Sequence, residues 1–350
     1  MKFSTRRLTA GTAVALVATL SLAACGSSNN SSSDAGDNGS KGGSSSGTTI
    51  TFIPKNLGNP YFDASDKDGG KVAVDEFKGV YQEVAPDTAT PDGQVSFINT
   101  AAQQGVKALV ISADDPKAPC SAIKQAMSAG TKVVTFDSDT SADCRDLYIN
   151  QATPEGIAKT EVDQIAQQIG DSGEIAILSA AANATNQNAW IELMKKDLAA
   201  DHPNIKLVDT VYGNDDDQTS FDKTAALLSD HPNLKGIISP TTVGIAAAAR
   251  YLDTSSSKGK VALTGLGTPN QMRKYVKDGT VTSFALWNPS DLGYLAAYAA
   301  KALVDGTIKG DEGDKFTAGK LGDFTVGADG VVLLGDPTVF TKDNIDKFNF

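Results

Sequence analysis

The sequence predicts an α/β fold made of two lobes, each a doubly wound parallel sheet covered by helices. Short runs rich in β-branched and apolar residues alternate with longer helical patterns from Thr48 onward. Several runs are apolar nearly throughout, which suits parallel strands covered on both faces. The chain holds too many strand–helix units for one ordinary sheet, so we expect two similar lobes that divide near residues 150–154.

The elements follow one another in a regular order. Asn59 and Pro60 are suited to the N-cap and the first position of a helix, and glycines such as Gly105 and Gly170 stand where helices should end. Predicted strands occupy residues 49–53, 107–112, 132–136, 174–179, 206–212, 236–239, 260–264 and 281–286. Predicted helices occupy residues 60–77, 93–104, 118–129, 154–169, 186–200, 218–229 and 289–303.

The N-terminal residues predict export and a lipid anchor. Three basic residues precede an apolar stretch over residues 8–24 that is too short and too weakly apolar to span a bilayer, as in a secretory signal peptide. The stretch ends in Leu-Ala-Ala before Cys25, which resembles the bacterial lipobox. We expect residues 1–24 to be a lipoprotein signal peptide and Cys25 to be lipidated. The alternative is a plain signal peptide followed by a chance cysteine.

Residues 25–47 are expected to form a disordered tether after the lipidated cysteine. They consist mainly of Gly, Ser, Asn and Asp. Such a segment cannot bury enough apolar surface to fold. The tether would hold a folded body near the outer face of the bacterial cell membrane.

Charge and composition narrow the classes of partner. The chain has a formal net charge of −11 at pH 7. An acidic protein without a cluster of basic residues is poorly suited to nucleic acid or anionic lipid. We therefore expect no nucleic-acid partner, and contact with the membrane only through the lipid anchor.

The cysteines predict one disulfide, and the histidines do not predict a metal site. With Cys25 lipidated, Cys120 and Cys144 remain in a compartment that permits disulfides, so we expect them to pair. The alternative is a buried unpaired thiol beside a reactive one. His202 and His231 both stand in Asp-His-Pro-Asn, where the proline ends a helix, and we interpret both as turn residues.

The loops that follow the predicted strands indicate a sugar site. Ligands of doubly wound sheets bind beyond the carboxyl ends of the strands. These loops are rich in Asp, Asn, Gln and Thr, with one Trp and one Lys. Carboxylates and amides supply the acceptors and donors that sugar hydroxyls need, and an aromatic face suits the C–H side of a pyranose. For any single loop, the alternative is ordinary loop polarity.

The sequence does not match the common motifs for catalysis, cofactor binding or metal binding. The segment 265–267 lacks the third glycine of a dinucleotide fingerprint, and neither a P-loop nor a Gly-x-Ser-x-Gly elbow occurs. Residues 215–217 are three aspartates without the remainder of a calcium loop, and we interpret them as an exposed turn. A glycosidase needs two carboxylates on opposite sides of the bond, whereas Asp137 and Asp139 share one loop. We expect no catalytic residue, cofactor or metal.

Several motifs are specific in combination. They are residues 52–62 (FIPKNLGNPYF), 135–139 (TFDSD), 185–190 (TNQNAW), 240–244 (PTTVG), 264–267 (TGLG), 286–294 (LWNPSDLGY) and the tail 336–350. With them, the body from about residue 48 to the end resembles the type I periplasmic sugar-binding proteins of ABC importers. Within that family it looks most like the rhamnose-binding branch and the nearby autoinducer-2 receptor branch.

The sequence only partly distinguishes between these two branches. Residues that match the autoinducer-2 receptors are Lys55, Asp137, Gln187 and Pro240, with Cys120, Cys144 and the segment 148–151 also similar to that branch. Asn186 and Thr242 depart from its pattern. The motifs of the second lobe look like the rhamnose branch, so we expect rhamnose or a similar deoxy-aldohexose. Autoinducer-2 is the alternative ligand.

The resemblance implies a venus-flytrap mechanism. Two Rossmann-like lobes joined by a three-segment hinge would close on the sugar, and the closed monomer would deliver it to a separate permease and ATPase. A sensor that presents the sugar to a receptor is the alternative. Residues 48–152 and about 288–312 would form the N-terminal lobe, and residues 153–287 and about 313–350 the C-terminal lobe.

The residues expected at the ligand lie on these loops. Asp137 stands directly after a predicted strand, with Asp139 as its rival and an Asx-turn as the alternative role. Trp287 is expected in the cleft, with a core or hinge position as the alternative, while Trp190 is expected to pack on its helix. The full expected set is Lys55, Asn56, Phe62, Asp137, Asp139, Asn186, Gln187, Pro240, Thr242, Gly267, Trp287 and Asn288.

Overall fold

Two parallel sheets organise residues 47–350, which are the residues that this computed structural model describes. The predicted signal peptide, Cys25 and the tether up to residue 46 lie outside the described residues. Within residues 47–350, no helix is both long enough and apolar enough to cross a membrane.

The first sheet has six strands, all paired in parallel. They are β1 (Thr49–Ile53), β2 (Val80–Glu83), β3 (Ala108–Ile111), β4 (Lys132–Phe136), β5 (Leu147–Asn150) and, late in the chain, β13 (Val331–Leu333). Their order across the sheet is β13-β5-β4-β3-β1-β2. The central strand β3 is buried at every residue, as expected of a strand covered on both faces.

Helices cover both faces of this sheet. They are α1 (Pro60–Phe62), which continues through a π-helical segment (Asp63–Gly70) into α2 (Lys71–Glu76), then α3 (Pro91–Gln103), α4 (Cys120–Ser128) and, from the far end of the chain, α10 (Pro289–Val304). The Asn59 side chain caps α1 by accepting from the Tyr61 N–H at 3.0 Å. A Cβ on Gly293 would lie 1.9 Å from the Ser65 carbonyl oxygen, so only glycine lets α10 approach the π-helical segment.

The second sheet is smaller. Its parallel strands are β6 (Gly173–Ser179), β7 (Ile205–Tyr212), β8 (Leu234–Ser239) and β9 (Ala262–Gly265), in the order β7-β6-β8-β9. An antiparallel pair, β10 (Ser283–Leu286) and β14 (Thr338–Thr341), joins its edge through a bridge between Leu266 and Ala285. Its helices are α5 (Pro154–Ile169), α6 (Thr185–Asp201), α7 (Asp217–Asp230), α8 (Thr242–Thr254) and α9 (Pro269–Lys277).

The chain crosses between the two lobes three times, which gives the expected three-segment hinge. The crossings follow β5, separate β10 from α10, and separate β13 from β14. The last crossing corrects the expected boundary near residue 313. Strand β13 pairs with β5 of the first sheet, and the hairpin of β11 (Lys315–Thr317) and β12 (Asp323–Thr325) precedes it.

Residues 315–333 therefore belong with the first lobe, and only the tail from β14 onward joins the second. The Lys320 N–H donates to the Tyr294 hydroxyl of α10 at 3.2 Å, which ties the hairpin to the first lobe. These three-residue strands carry too little periodicity to be assigned from sequence. Pairing with β5 also covers an edge whose backbone groups would otherwise be exposed.

The expected crosslink is present. Cys120 begins α4, Cys144 ends a short 3₁₀ turn after β4, and their sulfur atoms are bonded, with the Cα atoms 5.3 Å apart. The disulfide joins the start of α4 to the loop that carries Asp139. His202 and His231 lie at the C-caps of α6 and α7, in agreement with their interpretation as turn residues.

Candidate functional site

A small cavity lies between the carboxyl ends of the two sheets. Its walls come from both lobes and from the hinge. The lining residues are Lys55, Asn59, Tyr61, Phe62, Asp137, Asn186, Gln187, Trp190, Asp215, Pro240, Thr241, Thr242, Leu266, Leu286 and Trp287.

The Asp137 carboxylate is held from three sides at the cavity wall. Its Oδ1 accepts from the Tyr61 hydroxyl at 3.1 Å, and its Oδ2 accepts from the Ser112 hydroxyl at 2.7 Å. The Lys55 Nζ lies 3.5 Å from Oδ2, and both side chains of this ion pair are nearly buried. Because an ionised carboxylate offers about four acceptor positions, it can still accept from a ligand hydroxyl.

The first turn of α6 places two amides opposite this carboxylate. The Asn186 Nδ2 lies 3.4 Å from the Asp137 carbonyl oxygen, and the Lys55 Nζ lies 3.5 Å from the Asn186 Oδ1. The Gln187 Oε1 accepts from the Ser179 hydroxyl and from the Ala180 N–H. With its oxygen fixed in this way, Gln187 can present its amide N–H groups as donors to a ligand.

Aromatic side chains also line the cavity. The Trp287 indole N–H donates to the Tyr61 hydroxyl at 2.9 Å, and the Trp190 and Trp287 rings meet edge to face with centroids 6.1 Å apart. Trp190 packs as expected, yet it also lines the cavity. Burial, with a smaller contribution from Asp137, raises the pKa of Tyr61 well above its usual value, so the hydroxyl keeps its proton.

Asp215 is a site residue that the sequence interpretation missed. It lines the cavity and accepts from the Thr241 hydroxyl. Burial raises its pKa, against the opposing effect of Lys55. Its neighbour Asp216 caps α7, and Asp217 pairs with Arg250 at the surface, so the exposed-turn interpretation holds for those two residues only. The sequence could have indicated Asp215 by its position, because its loop directly follows β7.

A third carboxylate, Asp114, lies beside the cavity. Its backbone carbonyl accepts from the Asn183 Nδ2 of the other lobe at 3.2 Å, and its N–H donates to the Gln94 Oε1. Burial raises the pKa of Asp114 to about 7, opposed by the positive charge of Lys55. The carboxyl group therefore titrates near neutral pH, next to the contact between the lobes.

Eight of the twelve expected residues line the cavity, and four do not. Asn56 bonds to the Leu57 carbonyl in a neighbouring groove, and Asn288 caps α10 through the Ser290 N–H. Asp139 forms a two-pronged ion pair with Arg145, with N–O distances of 2.7 and 2.8 Å.

Gly267 is the fourth residue away from the cavity, because core side chains enclose it. A Cβ at this position would lie 2.8 Å from the Met272 Cγ and 3.1 Å from the Ile245 Cγ2. Strand ends were visible in the sequence, but the directions of side chains in these loops were not. The lining residues that were not expected are Asn59, Tyr61, Trp190, Asp215, Thr241, Leu266 and Leu286.

The chain matches a family model over most of its described length. The model describes a periplasmic binding protein domain and matches residues 50–308. Among solved structures, the chain is 55% identical to a sugar ABC transporter protein from Actinomyces odontolyticus. That match covers 87% of this chain and 98% of the other, with a TM-score of 0.71.

Two ligand complexes resemble the chain as well. An ABC transporter solute-binding protein from Clostridium phytofermentas with bound L-rhamnose is 39% identical, with a TM-score of 0.83, over 86% of this chain and 98% of that one. LsrB from Clostridium saccharobutylicum, in complex with AI-2, is 28% identical, with a TM-score of 0.81, over 86% and 100%.

Proposed function

Because the chain belongs to the periplasmic binding protein domain family, we propose that it captures L-rhamnose or a similar deoxy-aldohexose and delivers it to an ABC importer. Sugar binding for an ABC transporter follows from the family, because the relatives are sugar-binding proteins of ABC transporters rather than enzymes. The identity of the sugar and the residues that bind it are our proposal.

The mixed lining of the cavity carries the proposal. Lys55, Asp137 and Gln187 offer charged and amide groups, and Trp190 and Trp287 offer aromatic surface. A deoxy-aldohexose needs both kinds of contact, because it has hydroxyls along most of its ring and a methyl group in place of one hydroxyl. The 39% identity to the protein with bound L-rhamnose supports the same assignment.

Lobe closure would follow from the contacts across the cleft. Asn186 and Asn183 of the second lobe donate to backbone carbonyls of Asp137 and Asp114 in the first. A sugar that bonds to both lobes would bind the closed arrangement more tightly than the open one. This difference in binding free energy would set how far the population shifts toward the closed arrangement. The closed protein would then be recognised by a membrane permease that works with a separate ATPase.

Autoinducer-2 is the second candidate ligand. Lys55, Asp137, Gln187 and Pro240 match the pattern of its receptors and all line the cavity. The 28% identity to LsrB in complex with AI-2 supports this alternative. Asn186 and Thr242 depart from the receptor pattern and also line the cavity, which favours the sugar. A sensor that presents either ligand to a receptor would use the same site.

Melting temperatures in a panel of ligands test the assignment. L-rhamnose, D-ribose, D-arabinose and autoinducer-2 would each be added to the purified protein, and every ligand that stabilises it would be followed by calorimetry. A sugar at 100 times its dissociation constant should add about 2.7 kcal/mol of stability. We expect L-rhamnose to bind most tightly. Tighter binding of autoinducer-2 would favour the alternative, and stabilisation by none of the four would contradict the proposal.

We also propose that the protein acts outside the cell as a monomer held by a lipid on Cys25. The support is the lipobox-like end of the predicted signal peptide. A Cys25→Ser variant should appear in the medium or remain as an uncleaved precursor. If this variant fractionates with membranes and migrates like the wild type, the anchor assignment is wrong.

A further inference from the structure

Asp137 has an uncommon backbone conformation for a residue with a side chain. Its φ is +60°, in the left-handed region. Residues with a side chain populate this region sparsely, and it persists where the surroundings enforce it. The turn is tight, since the Ser138 N–H reaches the Phe136 carbonyl at 2.6 Å. Something must therefore hold Asp137 in this conformation.

The backbone carbonyl of Asp137 collects three side-chain donors. The Tyr148 hydroxyl and the Gln151 Nε2 each lie 3.1 Å from the oxygen, and the Asn186 Nδ2 lies 3.4 Å from it. A carbonyl oxygen has two lone pairs, so its acceptor capacity is fully used. These bonds fix the direction of the carbonyl, and with it the ψ angle of Asp137, so they oppose a rearrangement of the turn.

The three donors differ in whether they can hold the Asp137 carbonyl before the lobes close. Asn186 belongs to the second lobe, so its bond is made when the lobes meet. Tyr148 belongs to β5 of the first sheet, but its single hydroxyl proton is shared, because the Asn150 Oδ1 also lies 3.2 Å away. Gln151 follows β5 at the start of the first hinge crossing, and its amide group is fully buried. Gln151 is therefore the donor that can hold Asp137 before the lobes close.

We propose that Gln151 is a positioning residue for sugar binding, which keeps Asp137 in its left-handed conformation in the open protein. This inference rests on the proposed function, in which the Asp137 carboxylate binds the sugar. Without the Gln151 donor, the backbone of Asp137 relaxes toward extended geometry. Its carboxylate then leaves the positions set by Tyr61 and Ser112, and it meets the sugar out of place.

A double-mutant cycle tests this role. Gln151→Met removes the donor and keeps most of the side-chain volume. Its affinity for L-rhamnose, or for the panel sugar that the wild type binds best, should fall about tenfold, as expected for loss of one buried hydrogen bond. In an Asp137→Ala background the same change should alter affinity less than about twofold. Equal losses in both backgrounds would overturn the inference, because Gln151 would then act without Asp137.

The matched control is Gln164→Met, which changes a nearly buried amide on α5 that does not line the cavity. We expect it to leave sugar affinity unchanged. If the control loses affinity as Gln151→Met does, the effect comes from loss of a buried amide in general, and the inference fails.

A ligand-free crystal structure of Gln151→Met gives a readout that does not depend on the sugar. We expect Asp137 to leave the positive-φ region or to occupy two conformations. Retention of a φ near +60° would overturn the positioning role even if affinity falls. If the wild type binds no sugar of the panel, the proposed function fails, whereas this structure still decides the role of Gln151.

Discussion

The indole N–H of Trp287 donates to the hydroxyl of Tyr61 across 2.9 Å, although the two residues are 226 positions apart in the chain. The Tyr61 hydroxyl in turn donates to the Asp137 carboxylate at 3.1 Å. Trp287 lies at the second hinge crossing, directly after β10. A chain of two hydrogen bonds therefore joins the hinge to the charged group of the cavity.

These two hydrogen bonds predict a fluorescence signal for sugar binding. The protein has two tryptophans, and both line the cavity. Trp287 has the polar link to Asp137, so we expect sugar to change the emission and Trp287→Phe to remove most of that change. Trp190→Phe is the matched control and should retain most of it. A signal that survives Trp287→Phe and disappears with Trp190→Phe would reverse the assignment.

The two aspartates of one loop are predicted to differ in their effect on sugar binding. Asp137→Asn removes the charge from the cavity and should weaken sugar binding about ten- to a thousandfold, since bonds to a charged group contribute roughly 1.5–3 kcal/mol each. Its melting temperature should fall as well, because the variant leaves the nearly buried Lys55 ammonium without its partner. Calorimetry with the preferred sugar measures the affinity, and unchanged binding by a folded Asp137→Asn would remove Asp137 from the site.

Asp139→Asn should lose stability but keep affinity. The Arg145 side chain of its ion pair is only 3% exposed, and breaking a buried pair costs on the order of 3 kcal/mol. Thermal unfolding without sugar measures the stability, and calorimetry measures the affinity. Weakened sugar binding at an unchanged melting temperature would place Asp139 in the site instead.

Asp114 predicts a pH dependence of stability. Burial raises its pKa to about 7 in the folded protein, whereas in the unfolded chain it ionises near pH 4. Between these values the folded state holds a proton that the unfolded state has lost, so stability falls as the pH rises from about 4 to 7. Asp114→Asn resembles the protonated form and should remove this contribution.

The measurement is the difference in melting temperature between Asp114→Asn and the wild type. It should favour the variant increasingly from pH 4 to 7 and remain constant above that range. Asp115→Asn, in the adjacent and only partly buried position, is the control. A difference that does not depend on pH would contradict the burial of an ionisable Asp114.

The disulfide predicts a measurable contribution to stability. Cys120 and Cys144 are 24 residues apart, and a crosslink that closes a loop of this length contributes about 3 kcal/mol in the chain-entropy model. A Cys120→Ser/Cys144→Ser double variant should therefore melt at a lower temperature. With Cys25 blocked by the proposed lipid, the mature protein denatured without reductant should show no free thiol in an Ellman titration. Two thiols per chain would contradict the disulfide.

Several features of the fold and the site are local, and the sequence determined them. Strand and helix patterns placed β4 and α6 within a few residues of their observed bounds, and so located Asp137 and Gln187 at the carboxyl edges of the two sheets. Such assignments succeed because hydrophobic periodicity, caps and glycine stops act over one or two turns of chain. The same local reasoning anticipated the disulfide, since few cysteines were available.

Tertiary structure alone decided which loop residues face the ligand and which lobe holds the late strands. Asp139 remained the rival of Asp137 for the ligand until the structure paired its carboxylate with Arg145. Asp215 was interpreted like its exposed neighbours, whereas the structure shows it accepting from Thr241. Strand β13 joined the first sheet because β5 offered a free edge. These outcomes depend on partners brought together by folding, whose hydrogen bonds and burial leave no periodic pattern in the sequence.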